Sequence, residues 1–420
     1  MQKPSTRRLA PAILVIIIFG IISMLGDVIY EGARSANGQY LNLLGFSAAS
    51  VGLVFGLGEF LGYALRLVAG LLSDKTGRHW LFIFLGYSML IVVAMLGITN
   101  SWPFIVTLIL LERLGKALRN PAKDTLVSQV AEGQVGVGFA FGLQEALDQI
   151  GAFLGPLIFT LVFLVTGKQA IQDYQLAYRW LVVPFVLLMA FLYFAMRKVK
   201  SENLIPKPKT RAFEAEKLKP IFWIYTAFTF FSTLGFVNFS LIGYHLKDNA
   251  LLPDGQITLL YAVAMAVDAL AALVVGRWYD RLKQKRGTRM GGLAVLAGIP
   301  LLTLLLPFLT LSHSVPLIVT GMLLFGIVIG THETIMRSAI ADLTPFHKRG
   351  TGYGVFNSVY GLAFLAGAAL MGKFYDLSWM GAIYGVSVAV EALAIVFYLR
   401  LRAMSRLQSP PMGEPGNSQP

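Results

Sequence analysis

The chain has 420 residues, of which 56% are hydrophobic and only 14% charged, with a mean hydropathy of +0.67. Those values lie outside the range of soluble globular domains and place the chain in a bilayer. Its net charge is +13, and it has no cysteine, which excludes a disulfide framework and a thiolate metal site.

A membrane-spanning helix takes roughly 20 apolar residues, and about twelve such runs recur between short polar connectors. They predict spans near 11–33, 47–73, 80–98, 103–120, 136–166 and 179–197, then 219–246, 257–279, 290–310, 316–338, 352–374 and 380–402. The first run continues into Asp27, Tyr30 and Glu31 with no small-residue cleavage pattern, so it reads as a retained helix and not a signal peptide. The predicted organisation is a six-helix bundle over 1–197, a cytoplasmic linker over 198–219, a second six-helix bundle over 220–402 and a disordered cytoplasmic tail over 403–420. The linker is rich in lysine and holds Pro206 and Pro208, and the tail is rich in Pro, Ser and Gly.

Orientation follows from Lys and Arg, which are retained in cytoplasmic loops. Lys3, Arg7, Lys75, Arg78, Lys123, the linker lysines, Arg281, Lys283, Lys348 and Arg406 fall on one predicted side. The other side holds few, such as Lys168, Arg179, Lys247 and Lys373. Both termini are therefore expected in the cytoplasm of a cell-membrane protein. This bias, with attraction to anionic lipid, accounts for the positive charge without nucleic acid.

Buried ionisable residues mark pathways or pairs, because a charge in hydrocarbon costs about 3 kcal/mol or more. Span 1 bears Asp27, Glu31 and Arg34 on one face, and span 2 bears Glu59 and, seven residues deeper, Arg66. In span 4, Glu112 and Lys116 are spaced to pair, while Arg113, Lys116 and Arg119 step toward the cytoplasm. Span 5 answers with Gln144, Glu145, Asp148 and Gln149, which predicts ion pairs from Arg113 to Glu145 or Asp148. The second half is poorer: Asn238 in span 7, Asp268 in span 8, His332 and Glu333 in span 10 and Asn357 in span 11. The asymmetry suggests that the first half couples ions and the second contributes more of the solute surface. Either role competes with mutually neutralised pairs that simply hold helices together. Tyr30, Tyr40, Tyr63, Trp223 and Tyr261 are candidates to line a cavity, with packing as the default, while Trp80, Trp102 and Trp180 sit at span ends like interfacial anchors.

The chain also repeats. Gly70-Leu71-Leu72-Ser73-Asp74-Lys75-Thr76-Gly77-Arg78 follows span 2, and Gly276-Arg277-Trp278-Tyr279-Asp280-Arg281 follows span 8. Arg119 and Asp124 after span 4 are matched by Arg337 and Asp342 after span 10. The first loop resembles the signature loop of the major facilitator superfamily of secondary transporters. The resemblance implies an all-α membrane protein of twelve transmembrane helices in two six-helix parallel repeats, with a solute site at the midplane where the halves meet. It also implies a cytoplasmic latch formed by Asp74, Arg78 and Asp124 together with Arg119, although His79 replaces a second basic residue and the second copy lacks Gly-Arg after Asp280. Arg113 resembles a basic residue that the superfamily links to proton coupling. Gly142, Gly151 and Gly155-Pro156 in span 5 are similar to the motif of drug and proton antiporters, and would press this helix against the other half.

The expected function is therefore alternating-access transport, with proton-coupled efflux of drug-like or metabolite solutes as first reading. A proton-coupled importer of a polar or anionic solute and a lipid-flipping or non-transporting membrane protein are the alternatives. The partners expected are a small solute, protons and lipid, in a monomer. No cofactor or metal is expected: His332-Glu333 lacks the second histidine of a helical zinc site, and no phosphate-binding glycine loop is present, so the chain does not read as an enzyme.

Overall fold

The computed structural model describes residues 6–131, 136–167, 169–202, 218–286, 291–344 and 349–408. The predicted linker between 203 and 217 and the tail beyond 408 lie outside the described residues, as does the side chain of Arg337. The described residues are helical with short connections and no strand. In chain order the helices are α1 Thr6–Leu43, α2 Ala48–Thr76, α3 His79–Ser88, α4 Ile91–Met95, α5 Trp102–Ala131, α6 Val137–Thr166, α7 Ile171–Trp180, α8 Val182–Ser201, α9 Pro220–Leu234, α10 Phe239–Asp248, α11 Asp254–Arg286, α12 Ile299–Thr310, α13 Val315–Leu343, α14 Arg349–Asp376 and α15 Met380–Gln408.

Eleven segments of this set are long and apolar enough to cross a membrane. The twelfth crossing is α5, too polar to count by composition because Glu112, Arg113, Lys116, Arg119 and Lys123 lie along it, four of them buried. Four predicted spans are broken: span 3 into α3, α4 and a 3₁₀ turn at Leu96–Ile98, span 6 into α7 and α8, span 7 into α9 and α10, and span 9 into a 3₁₀ stretch at Gly291–Gly298 and α12. Span 7 breaks because Asn238, in extended conformation, caps a new helix by accepting from the Leu241 amide at 3.0 Å. At the end of α2 the chain reverses through Gly77, whose φ of 64° a side chain would strain. Helix α8 runs to Ser201 and α15 to Gln408, each beyond its predicted span.

Successive crossings alternate between the face that carries the chain termini and a distal face. The two halves of the chain are joined by α1 against α10, α2 against α14 and α6 against α11. A side chain at Gly38 would run into the Ser240 carbonyl, and one at Gly52 into the Ala368 carbonyl, so these helices meet backbone to backbone. Toward the distal face, Asn42 donates to Asp248 at 3.0 Å, Thr160 and Thr258 share a hydrogen bond at 2.8 Å, and the Asp254 amide donates to Gln169 at 3.2 Å. Asp376 at the end of α14 accepts from the Ala48 and Ala49 amides at the start of α2, at 2.8 and 3.0 Å. That carboxylate meets the positive end of the α2 dipole across the junction.

Asp376→Ala is expected to weaken this distal seal by about 2 kcal/mol, the scale of a charged hydrogen bond. Cysteines placed in the distal half of the cavity should then label faster with an impermeant maleimide added from the distal side, and an unchanged rate would remove Asp376 from the seal.

Candidate functional site

The central feature is a cavity of about 120 Å³ where the halves face one another. Its walls are polar stripes at helical spacing. Helix α1 supplies Ser23, Asp27, Glu31 and Arg34, α5 supplies Lys116, Arg119, Asn120 and Lys123, and α6 supplies Glu145, Asp148 and Gln149. Among the described residues the second half contributes Asp268 of α11 and Glu333 of α13, with Met265 and Ile329, while Tyr87 of α3 closes one side. The first half thus supplies most of the ionisable lining, but it also supplies most of the wall, so the larger solute surface expected of the second half is not present in this cavity. Asp268 still faces carboxylates from both sides, Glu333 on its own half and Glu31 and Glu145 opposite, with Arg34 as the cation among them.

On the distal side of this cavity lies a dense ion network. Glu59 of α2 sits 2.9 Å from the Arg113 guanidinium and accepts from the Tyr30 hydroxyl at 3.1 Å, and Arg113 in turn donates to that hydroxyl. Arg113 also lies 3.2 Å from Glu112, which stands 4.0 Å from Arg119. Arg34 bridges Glu31 and Glu59 at 3.5 and 3.8 Å. Tyr261 of α11 crosses the junction to donate to Glu31 at 2.5 Å.

Two predicted pairings are corrected here. Arg113 does not meet Glu145 or Asp148, because it turns toward α2 while those acids face the cavity from α6. Lys116 does not pair with Glu112 either. Its ammonium lies 3.7 Å from the centre of the Tyr30 ring, and Glu112 points to the arginines.

Toward the terminal face, Lys123 donates to Ser23 at 2.5 Å and Gln144 donates to the same hydroxyl at 3.0 Å. Asp148 Oδ1 and Gln144 Oε1 are buried without a hydrogen-bond partner. Lys123 had been read only as a topology charge. One more turn beyond the Lys116, Arg119 step reaches it, past the predicted end of span 4 at residue 120; α5 continues through Pro121.

The remaining candidates disperse. Arg66 lies against the Tyr63 ring at 4.6 Å and does not line the cavity. Asn238 is a helix cap, His332 packs 5.9 Å from Phe236, and Asn357 lies outside the cavity lining. Tyr40 is buried against the Leu96 and Thr99 carbonyls, and Trp223 is 52% exposed on the outside. Trp80 stacks on Phe19 and Trp102 packs tilted against Phe46, whereas Trp180 is exposed.

The expected latch is not assembled in this conformation. Arg119 is buried, directed at Glu112, the Gly86 carbonyl and the Tyr87 ring. The Asp74 side chain is 64% exposed, 4.0 Å from His79, which hydrogen-bonds Ser73 at 2.7 Å. Lys75, Arg78 and Asp124 are exposed, and Gly70 abuts Pro121. In the second copy Asp280 and Arg281 are exposed, while Asp342 is held by Lys283 at 2.6 Å and Tyr279 at 2.8 Å; Gly276 abuts Thr334. The span 5 glycines also differ from expectation. Side chains at Gly151 and Gly155 would strike the Met24 and Val28 carbonyls, so they press α6 onto α1 of the same half, and Gly142 touches nothing within 4 Å. Pro156, one turn before Thr160, lies within α6. The contact of α6 with the other half is made instead by Thr160 and Phe163, which meet Thr258 and Gly255.

The family model described as Major Facilitator Superfamily matches residues 12–248 and 229–418. An uncharacterized protein of Mycobacterium tuberculosis is 36% identical over 410 residues, covering 95% of each chain. An uncharacterized MFS-type transporter of Methanocaldococcus jannaschii is 25% identical over 391 residues, covering 91% of this chain and 94% of that one. Among solved structures, a bacterial homolog of the human lysosomal transporter Spinster, inward-facing and unoccupied, superposes with a TM-score of 0.69 at 14% identity, covering 99% and 100%. A bacterial homologue of the iron transporter ferroportin, inward-facing, gives a TM-score of 0.66 at 15% identity, covering 93% and 98%.

Proposed function

The chain belongs to the major facilitator superfamily of secondary transporters, and on that premise we propose that it exports drug-like or metabolite solutes in exchange for protons. The observation that carries the reading is the cavity between the halves, where Asp27, Glu31, Glu145 and Asp148 face Asp268 and Glu333 across one space. Carboxylates brought together in a low-dielectric site bind protons or cationic groups and release them when access changes. Asp148, with an unpartnered oxygen, and Asp27, beside Lys116, are the leading proton carriers. The export direction rests on the likeness of span 5 to the antiporter motif.

A second reading, import of a polar or anionic solute, is favoured by Arg34, Lys116, Arg119 and Lys123 in the same lining. Three of these four already have anionic or hydroxyl partners within the protein, which is why export comes first. We place the terminal face in the cytoplasm of the cell membrane, divide the chain into bundles over 1–197 and 220–402, and take it to act as a monomer. With that orientation the distal closure makes this conformation inward-facing, and Asp74, Arg78, Arg119 and Asp124 would come together as the cytoplasmic latch only in the opposite state.

The decisive experiment uses purified protein in liposomes. Solutes that raise the unfolding temperature are tested for flux under an imposed pH gradient. Accumulation on the acidic side supports export by exchange, accumulation on the alkaline side supports import with protons, and lipid scrambling without solute flux would overturn both. Orientation has its own check, since the chain has no native cysteine. In intact cells Ser201→Cys should resist an impermeant maleimide and Ser314→Cys should react; the reverse pattern would invert the topology.

A further inference from the structure

Glu391 of α15 is 1% exposed, and neither carboxyl oxygen has a hydrogen-bond partner. It does not line the central cavity. It faces the break between α9 and α10. The Ser232 hydroxyl in the last turn of α9 is directed toward its carboxyl, and a methyl group at Gly235 would stand 2.6 Å from its Oε1. Ser387, one turn earlier on α15, reaches the Gly235 carbonyl at 3.5 Å. The Gly235 and Phe236 amides close the helix end on the Phe231 and Thr233 carbonyls, the Ser232 carbonyl gains no amide, and the Leu234 carbonyl packs against Gly367 of α14.

An ionised carboxylate here would sit at the negative end of the α9 dipole, in the protein interior and at membrane depth. Among the described residues no basic side chain of α9, α12, α14 or α15 faces it; Ser232 is the one polar side chain acting on it. A carboxylate and a hydroxyl at the negative end of a helix are oxygen ligands of the kind that suit a small cation.

We propose that the α9–α10 break is a second cation site, in which Glu391 and Ser232 at the end of α9 take one monovalent cation, H⁺ or Na⁺. The site is separate from the central carboxylates and does not depend on the export reading. Its occupant sets how readily α10 swings on α9, and α10 carries part of the distal seal through Ser240 and Asp248. Ion binding in the second half would thereby bias closure of the distal face.

The test uses the full chain in detergent, comparing unfolding temperature in sodium and choline chloride at equal ionic strength, from mildly acidic to mildly alkaline pH. A sodium-dependent rise in the wild type that Glu391→Gln lacks identifies Na⁺. With no sodium effect, a gain on acidification that the wild type shows and Glu391→Gln lacks identifies H⁺. Responses to both sodium and pH that are the same in wild type and variant overturn the site. Should Glu391→Gln fail to fold, Ser232→Ala carries the test. It should raise the half-saturating sodium concentration by about tenfold if the occupant is Na⁺, and move the pH midpoint upward if it is H⁺, because the lost hydroxyl donates to the ionised carboxylate. An unchanged midpoint overturns the proposal.

Discussion

Arg113→Ala should destabilise the protein by about 3–5 kcal/mol, the scale on which removing one partner of a buried ion network strands the other. Arg113 is 3% exposed and neutralises both Glu59 and Glu112, while also holding the Tyr30 hydroxyl. Its loss would leave two carboxylates in the interior with Arg34 and Arg119 at 3.8 and 4.0 Å and Lys116 acting on Glu59 from farther off. Reversible unfolding in mixed micelles reads the cost directly. The double variant Arg113→Ala, Glu59→Gln should recover a substantial part of it, because neutralising Glu59 removes one of the stranded charges. Equal losses in single and double variants would show that Arg113 acts through packing alone. Since Arg113 lies away from Glu145 and Asp148, its removal should leave the pH profile of transport where it was, provided the folded fraction is matched. A displaced profile would tie Arg113 to the proton pathway after all.

The crossings were readable in the sequence because twenty apolar residues leave little else for a segment to be. Which residues share a face was readable too: Asp27, Glu31 and Arg34 do line one wall, and Asp268 and Glu333 do answer from the other half. Spacing along one helix says nothing about how that helix is rotated against its neighbours. That is why Arg113 was assigned to the acids of the next span in sequence instead of Glu59, two spans earlier. The predicted span 4 stops at residue 120, just before Pro121, and so misses the last three turns of α5 and with them Lys123 beside Ser23. Glu391 drew no notice because a lone carboxylate in an apolar run has no partner at helical spacing. Only the fold reveals that it lies against the end of another helix.

The other large effect is expected at the cavity acids. Asp148→Asn, or Asp27→Asn, should abolish proton-driven accumulation while leaving exchange of labelled for unlabelled solute intact. Accumulation above equilibrium requires that a proton bind on one side and leave on the other in each cycle, whereas exchange requires only that the loaded carrier change state. An asparagine keeps the size and much of the hydrogen bonding of the aspartate but cannot carry the proton, so a selective loss separates coupling from folding. Asp148 is the stronger candidate of the two. One of its oxygens is buried and unpartnered, and Lys123, the cation near it, already donates to Ser23 at 2.5 Å. Lys116 and Lys123 both act on Asp27, but so do the neighbouring acids Asp148 and Glu31, so the two aspartates share one proton-binding region. The single variants should therefore give similar losses, with little added by combining them. If both retain accumulation, the carrier lies among Glu31, Glu145, Asp268 and Glu333, and exchange that fails together with accumulation would assign these acids to the solute itself.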